Sequence, residues 1–353
     1  MRQLLRAAVC CVLCLTAAPA AAQEPKWEIE GYGGFVAGQA TSAGTVTLPP
    51  PGAPLVTSTP TFPSRVVPSW FFGDGSTLLN GVNADFSLAG RITPLDPVFA
   101  ALKPGHPADF GVRVRRSLSE RYAVEVSLDL LASSNLEPEG FASAVESTRS
   151  SFVSAFTDLL ASGPFASVTV GAQAANEGGR ARDTAITGAI VRQFMAERSL
   201  APYVTFGGGV VTGAGTLPTA TLVGRYAFSI VGQVPIDESD HAAVEYERKT
   251  TFVFVVGGGV RKHFSSKWGL RGDVRMLIGP DGTRAIVDAQ PASVRGTPAG
   301  FVESFTNPAI QFSNDPATGR QSSLSGPGLQ SVEVFKGGTL ARTQITVGVT
   351  RRF

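Results

Sequence analysis

Along much of this chain apolar and polar residues alternate one for one, the spacing of strands whose two faces meet different surroundings. From Trp27 to Gly38, Trp27, Ile29, Phe35 and Ala37 fall on one face and Glu28, Glu30, Tyr32 and Gly34 on the other. Two further stretches flank the short turn SLSE. In the first, Phe110, Val112 and Val114 alternate with Asp109, Gly111, Arg113 and Arg115; in the second, Tyr122, Val124, Val126, Leu128 and Leu130 alternate with Ala123, Glu125, Ser127 and Asp129. The same paired unit recurs at Thr184 to Phe194 with Ala201 to Val211. It recurs again around Ser265 and Ser266, where Phe252, Phe254, Val256 and Val260 are answered by Trp268, Leu270, Val274 and Met276. An eighth stretch, Ala341 to Phe353, alternates up to the last residue. Eight strands of about nine to eleven residues are the length that crosses a bilayer.

The connections sort by length. Those joining strands 2 to 3, 4 to 5 and 6 to 7 are a few residues long, whereas the others occupy about 39–107, 133–182, 213–250 and 279–339. Short and long in strict alternation predicts an all-β fold: an eight-stranded antiparallel transmembrane β-barrel with short periplasmic turns and long extracellular loops. A soluble lipocalin-like barrel is the architectural alternative, with the charged face turned outward. In the first loop a Pro- and Thr-rich tract at 47–68 excludes helix, and 73–102 reads as structured. In the second, Phe141, Val145, Phe152, Phe156, Leu159 and Leu160 follow helical spacing. In the third, TATLVGRYAFSIVG faces HAAVEYERK, which predicts that strands 5 and 6 continue beyond the membrane as a long hairpin and add no spanning strands. The fourth, rich in Gly, Ser, Pro and Asn, is expected to be irregular.

Composition changes this picture little. Forty Gly and 24 Pro favour a turn-rich β chain. Residues 1–22 have a positive start, a short apolar run and small residues at Ala20 to Ala22, the pattern of a cleaved secretory signal peptide, which leaves 23–353 as the barrel. Cys10, Cys11 and Cys14 lie inside this leader, so no disulfide is expected after export. Loss of Arg2 and Arg6 takes the formal charge from +2 to 0, and no basic stripe points to nucleic acid.

With this leader, these paired stretches and the terminal Phe353, the chain resembles the small bacterial outer-membrane β-barrels typified by the barrel of outer-membrane protein A. The resemblance implies an integral outer-membrane location, outer-membrane lipid as a partner, and the barrel-assembly machinery as a partner during biogenesis. The terminal strand, with Ile345, Val347, Val349 and Phe353 on one face, resembles the C-terminal signal read by that machinery; Arg351 departs from it.

The polar face carries Glu28, Glu30, Asp109, Glu125, Asp129 and Asp273 with Arg113, Arg115, Arg261, Arg271, Arg275 and Arg342, and Arg352 nearer the end. Charge is costly against lipid, so this face is expected inside the barrel. There it forms either a plug of paired charges or a narrow Arg-lined pore that favours anions. The runs FGGGVV and VVGGGVRK lie in strands and are expected to serve close packing. His106 with Asp109, or Ser239, Asp240 and His241, are the groups a rim hydrolase or acyltransferase would use, and His263 reads as a rim residue. Three His and no mature Cys predict no metal site, FGDGS and GPDGT read as turns, and no cofactor is expected. The expected function is a non-enzymatic structural or surface-interaction protein with a largely plugged lumen. A small porin or transporter of small or hydrophobic solutes is the alternative, and a rim-located enzyme a remote one.

Overall fold

A computed structural model describes residues 27–55, 64–104, 107–132, 134–195, 199–229, 236–295, 310–312, 314 and 321–353. The leader and His106 lie outside these residues. The chain runs through β1 (Trp27–Thr41), β2 (Thr45–Val46), α1 (Gly73–Asp85), a single 3-10 turn (Asp96–Val98) and β3 (Lys103–Pro104). Next come β4 (Ala108–Ser117), β5 (Tyr122–Leu131), β6 (Ser134–Glu137), α2 (Phe141–Ala161), β7 (Ala166–Glu177) and β8 (Gly179–Gln193). The last half holds β9 (Leu200–Thr216), β10 (Thr219–Ser229), β11 (Ile236–Arg248), β12 (Thr251–His263) and β13 (Trp268–Pro280). It ends with β14 (Thr283–Arg295), β15 (Leu329–Lys336) and β16 (Thr339–Arg352).

Eight of these strands close into a ring in the order β8, β5, β4, β1, β16, β13, β12, β9, with β9 pairing back to β8. All neighbours are antiparallel. They are the eight strands read from the alternation. β16 pairs with β1 from Glu28↔Arg352 to Thr41↔Leu340, with one irregularity at Ala37, so the last strand forms a closing seam with the first. The side chains sort as the alternation requires. Phe110, Phe206, Phe252, Phe254, Val347 and Trp268 stand exposed on the outer wall, while the charged positions between them are buried.

The long connections build a second layer at one end of the barrel. Six strands pair in the order β2, β15, β14, β11, β10, β7, and each adjoins a barrel strand in the chain across a short break. β4 and β5 are prolonged only by the short β3 and β6, and β6 pairs with β8. Against one face of the six-stranded sheet pack α2, α1 and the segment between them. Phe156 stacks on Tyr226 at 4.2 Å, Trp70 meets Phe156 edge-on at 5.7 Å, and Phe71 lies 5.0 Å from Phe152. Leu79, Leu160, Val244, Val287 and Val334 complete this core. This cap holds the largest apolar core of the described residues; the barrel contains only two small apolar clusters.

Two expectations change here. The third-loop hairpin forms as β10 and β11, but strands 5 and 6 do not run straight on into it. The chain breaks at Leu217–Pro218 and Lys249–Thr250, and the hairpin joins β7 and β14 in the separate sheet. The fourth loop is not wholly irregular, because Thr283–Arg295 and Leu329–Lys336 are strands. Ala285, Val287 and Ala289 point into the cap core. Small residues bury well there but give little hydropathy contrast against their neighbours.

Inward glycines make room for the side chains that fill the barrel. A Cβ added at Gly111 would lie 2.3 Å from the Tyr32 hydroxyl, and one at Gly259 2.5 Å from that of Tyr203. A Cβ at Gly272 would meet nothing within 4 Å. Gly111→Val is therefore expected to lower barrel stability by about 1–3 kcal/mol through overpacking, read as the urea midpoint of the heat-modifiable folded band. Gly272→Val, on the outer face, is expected to leave that midpoint within error or raise it.

Candidate functional site: the charged barrel lumen

All twelve charged positions singled out on the polar face are buried inside the barrel: Glu28, Glu30, Asp109, Arg113, Arg115, Glu125, Asp129, Arg261, Arg271, Asp273, Arg275 and Arg342. Their strands come from every side of the ring, so the pairs they form cross the lumen. At mid-height Glu125 on β5 accepts from Arg271 at 2.9 Å and from Arg275, both on β13. β5 and β13 are four places apart in a ring of eight, so this carboxylate reaches the diametrically opposite wall. Arg113 on β4 donates to Glu30 at 2.9 Å and lies 3.2 Å from Asp273. Arg275 also bonds Asp273. Three carboxylates thus face three guanidiniums, a neutral cluster with no charge left over.

Two tyrosines complete it. Tyr203 donates to Asp273 at 2.7 Å and accepts from Arg271 Nε at 2.6 Å, while the Arg271 guanidinium lies 4.4 Å from the Tyr203 ring centre. Tyr32 donates to Asp129 at 2.6 Å, and Arg113 lies 4.4 Å from its ring centre. Such planar contacts suit guanidinium, which is more weakly hydrated than ammonium. Among the described residues every ion pair of this cluster uses arginine.

Further bridges cross above and below. Towards the turns, Arg261 pairs with Glu28, and Arg115 donates to Gln193 at 2.7 Å. Towards the cap, Arg342 on β16 pairs with Asp183 on β8, again the opposite wall, and Asp183 also accepts from Arg248 at 2.6 Å. Among the described residues neither carboxylate oxygen of Asp109 has a hydrogen-bond partner. The lumen is therefore bridged at three heights.

Sequence reading missed part of this set. Asp183 stands one residue before the alternating stretch that begins at Thr184, and it continues the inward series Ala185, Thr187, Ala189 and Val191. Tyr203 sat in plain view at an inward position of strand 5. Arg248 could not be placed in advance, because its strand belongs to the cap sheet.

The rim groups that lie within the described residues do not assemble. Asp240 is fully buried in the cap, where it accepts from the Trp70 amide at 2.6 Å and from the Ser69 hydroxyl at 3.0 Å. His241, next along the strand, faces the opposite side and is exposed. Asp109 lies in the lumen, and His263 is half-buried at the turn end beside Arg352. Asp74 ion-pairs with Arg65, and Asp281 accepts from the amide and hydroxyl of Thr283, so both act in local structure. Among the described residues no group of three or more His, Cys, Asp or Glu is placed to hold a metal ion.

A closed antiparallel barrel with an apolar outer wall, a charged interior and connections sorted by length defines a small β-barrel of the outer-membrane type. No family model matches the sequence, and no curated protein does. Among solved structures, Ail, the attachment invasion locus protein of Yersinia pestis, aligns at 9% identity over 94% of this chain and 100% of its own, with a TM-score of 0.25. A major outer membrane protein from Thermus thermophilus aligns at 9% identity over 94% and 100%, with a TM-score of 0.32. A mutant of the monoaromatic hydrocarbon channel TodX aligns at 7% identity over 96% and 93%, with a TM-score of 0.21. These likenesses are distant, and the barrel assignment rests on the strand pairing itself.

Removing Glu125 leaves three guanidiniums facing two carboxylates. Glu125→Gln is expected to destabilise the barrel by about 3–5 kcal/mol, the cost of an uncompensated buried charge, seen as a lower urea midpoint of the folded band.

In the cap, burial pushes the Asp240 carboxyl from its ordinary 3.8 up to about 7, although the Trp70 amide and Ser69 hydroxyl favour its charged form. The folded cap thus holds a proton that the unfolded chain has released. Cap stability is expected to fall as pH rises between these two values, by up to roughly 1.4 kcal/mol for each pH unit, and to level off above the upper one. Trp70 fluorescence during urea unfolding at several pH values measures this slope, and Asp240→Asn is expected to flatten it.

Proposed function

We propose that this chain is an integral protein of the bacterial outer membrane in which the barrel is a closed anchor and the cap the exposed module. Its role is structural or surface-interacting and not catalytic. One observation carries the reading: Glu125 binds Arg271 and Arg275 on the opposite wall, at the middle of the barrel, within a cluster of equal and opposite charge. A lumen bridged in this way leaves side chains where a solute would pass. The outer wall supports the location. Its exposed Ile29, Phe110, Val112, Leu128, Phe206 and Phe254 make a band that suits hydrocarbon and not water. Trp27, Trp268 and Phe353 lie at the turn end, where interfacial aromatics belong. In this orientation the turns are periplasmic and the cap extracellular.

Single-channel recording of the refolded full chain in a planar bilayer tests the closed anchor. No steady openings are expected at moderate voltage. Stable, solute-dependent conductance would replace this reading with that of a small porin or transporter.

A further inference from the structure

The outer wall carries one groove that the apolar band does not fill. β1 turns Gly31 and Gly33 outward, between Val112 and Phe110 of β4 on one side and Val349 and Val347 of β16 on the other. The four flanking side chains are all well exposed. A Cβ at Gly31 would meet nothing within 4 Å, and one at Gly33 would make ordinary contacts with the Phe110 ring at 3.6 Å and the Asp109 carbonyl at 3.9 Å. The groove has a volume of about 500 Å³ and mostly apolar walls.

Its turn end is cationic. One row beyond Gly31, Ile29 pairs with Arg351; one row further, Trp27 pairs with Arg116. Arg116 lies 5.4 Å from the Trp27 ring centre, and Arg351 lies 5.5 Å from that of Trp268 and 5.1 Å from that of Phe353. The aromatic faces hold both guanidiniums at the level where hydrocarbon gives way to headgroups.

We infer that this groove is a binding site for one glycerophospholipid of the leaflet at the turn end, with an acyl chain along Gly31 and Gly33 and an anionic headgroup between Arg116 and Arg351. The inference rests on the outer-membrane reading above. A second copy of the chain fits less well. Two barrels inserted in the same direction and packed groove to groove would set Arg116 and Arg351 of each at the same depth as those of the other, cation against cation. An anionic amphiphile meets the charge and the apolar walls together.

The test uses the refolded full chain, in which Trp27 and Trp268 lie at the turn end and Trp70 is buried in the cap. In vesicles, brominated phosphatidylglycerol is expected to quench the turn-end tryptophans at least about twofold more than brominated phosphatidylcholine at the same mole fraction. Arg116→Ala with Arg351→Ala should abolish the preference, and Gly31→Leu with Gly33→Leu, which fills the groove, should reduce the quenching by phosphatidylglycerol to the level of phosphatidylcholine. Equal quenching by the two lipids in the starting protein, or a preference that survives both double substitutions, would overturn the site while leaving the barrel reading intact. A starting protein that shows no heat-modifiable mobility after refolding with vesicles would overturn the outer-membrane reading and the lipid site with it.

Discussion

The contact on which the barrel depends is the one Glu125 makes across the lumen to Arg271 and Arg275. An eight-stranded ring encloses a space only wide enough for side chains, so whatever lines it must be mutually satisfied. Because the outer wall is given over to apolar side chains, the inner wall takes the polar ones, and charges there are tolerable only when paired and hydrogen-bonded. Those requirements act together on register. A slip of one residue on β13 would carry Arg271, Asp273 and Arg275 to the outer wall and bring Leu270, Val274 and Met276 inside. The pairs across the lumen therefore select one register for strands that lie far apart in sequence.

The cap inverts this chemistry on the same inward side. Along β13 the inward series is Arg271, Asp273, Arg275 and then Leu277; past the break at Asp281–Gly282 it continues as Ala285, Val287 and Ala289. Inside stays inside while its lining changes from charged to apolar. Leu277 belongs to a small layer with Ala185, Val211, Val253 and Val255, at the height where the change occurs. Between β9 and β10 the break also shifts the phase. In β9 the inward positions are odd, Ala201, Tyr203 and Thr205, whereas in β10 they are even, Ala220, Leu222 and Tyr226. Pro218 lies between the two, where the absence of an amide hydrogen ends the ladder without cost. In this protein the hydrophobic core that a soluble domain needs lies in the connections, and the strands that look hydrophobic show that side to the outside.

How much of this was legible follows from contrast along the chain. The eight barrel strands stand out because Phe, Leu and Val alternate with Arg, Asp and Glu, the largest difference that two faces can present. β7 and β14 do not stand out, because small residues such as Ala give little hydropathy contrast between their faces, although Ala285, Val287 and Ala289 are fully buried. The apolar spacing from Phe141 to Leu160 announced α2 but not its partners, since Phe156 against Tyr226 joins segments about 70 residues apart. Asp240 stood in a polar hairpin beside Ser239 and His241, where sequence suggested a rim site. Its role emerges only once the sheet turns it towards Ser69 and Trp70, which lie 171 and 170 residues away. Twelve of the buried lumen charges could be read from alternation, and Asp183 was not among them. Which carboxylate meets which guanidinium could not, because that depends on how the ring closes.

Closure also determines how the cap is carried. Asp183 belongs to β8, Arg342 to β16 on the opposite wall, and Arg248 to β11 in the cap sheet; the one carboxylate binds both guanidiniums. A single buried acid therefore ties two sides of the barrel rim to the first layer of the cap. Were the connections independent loops, Arg248 would lie at the end of a solvated hairpin and its pair would contribute little. Here its side chain is only 13% exposed and its partner 6%, so the pair forms away from water, and loosening the cap would leave Asp183 with an incomplete shell. Barrel and cap are thus coupled through the same kind of bond that bridges the lumen.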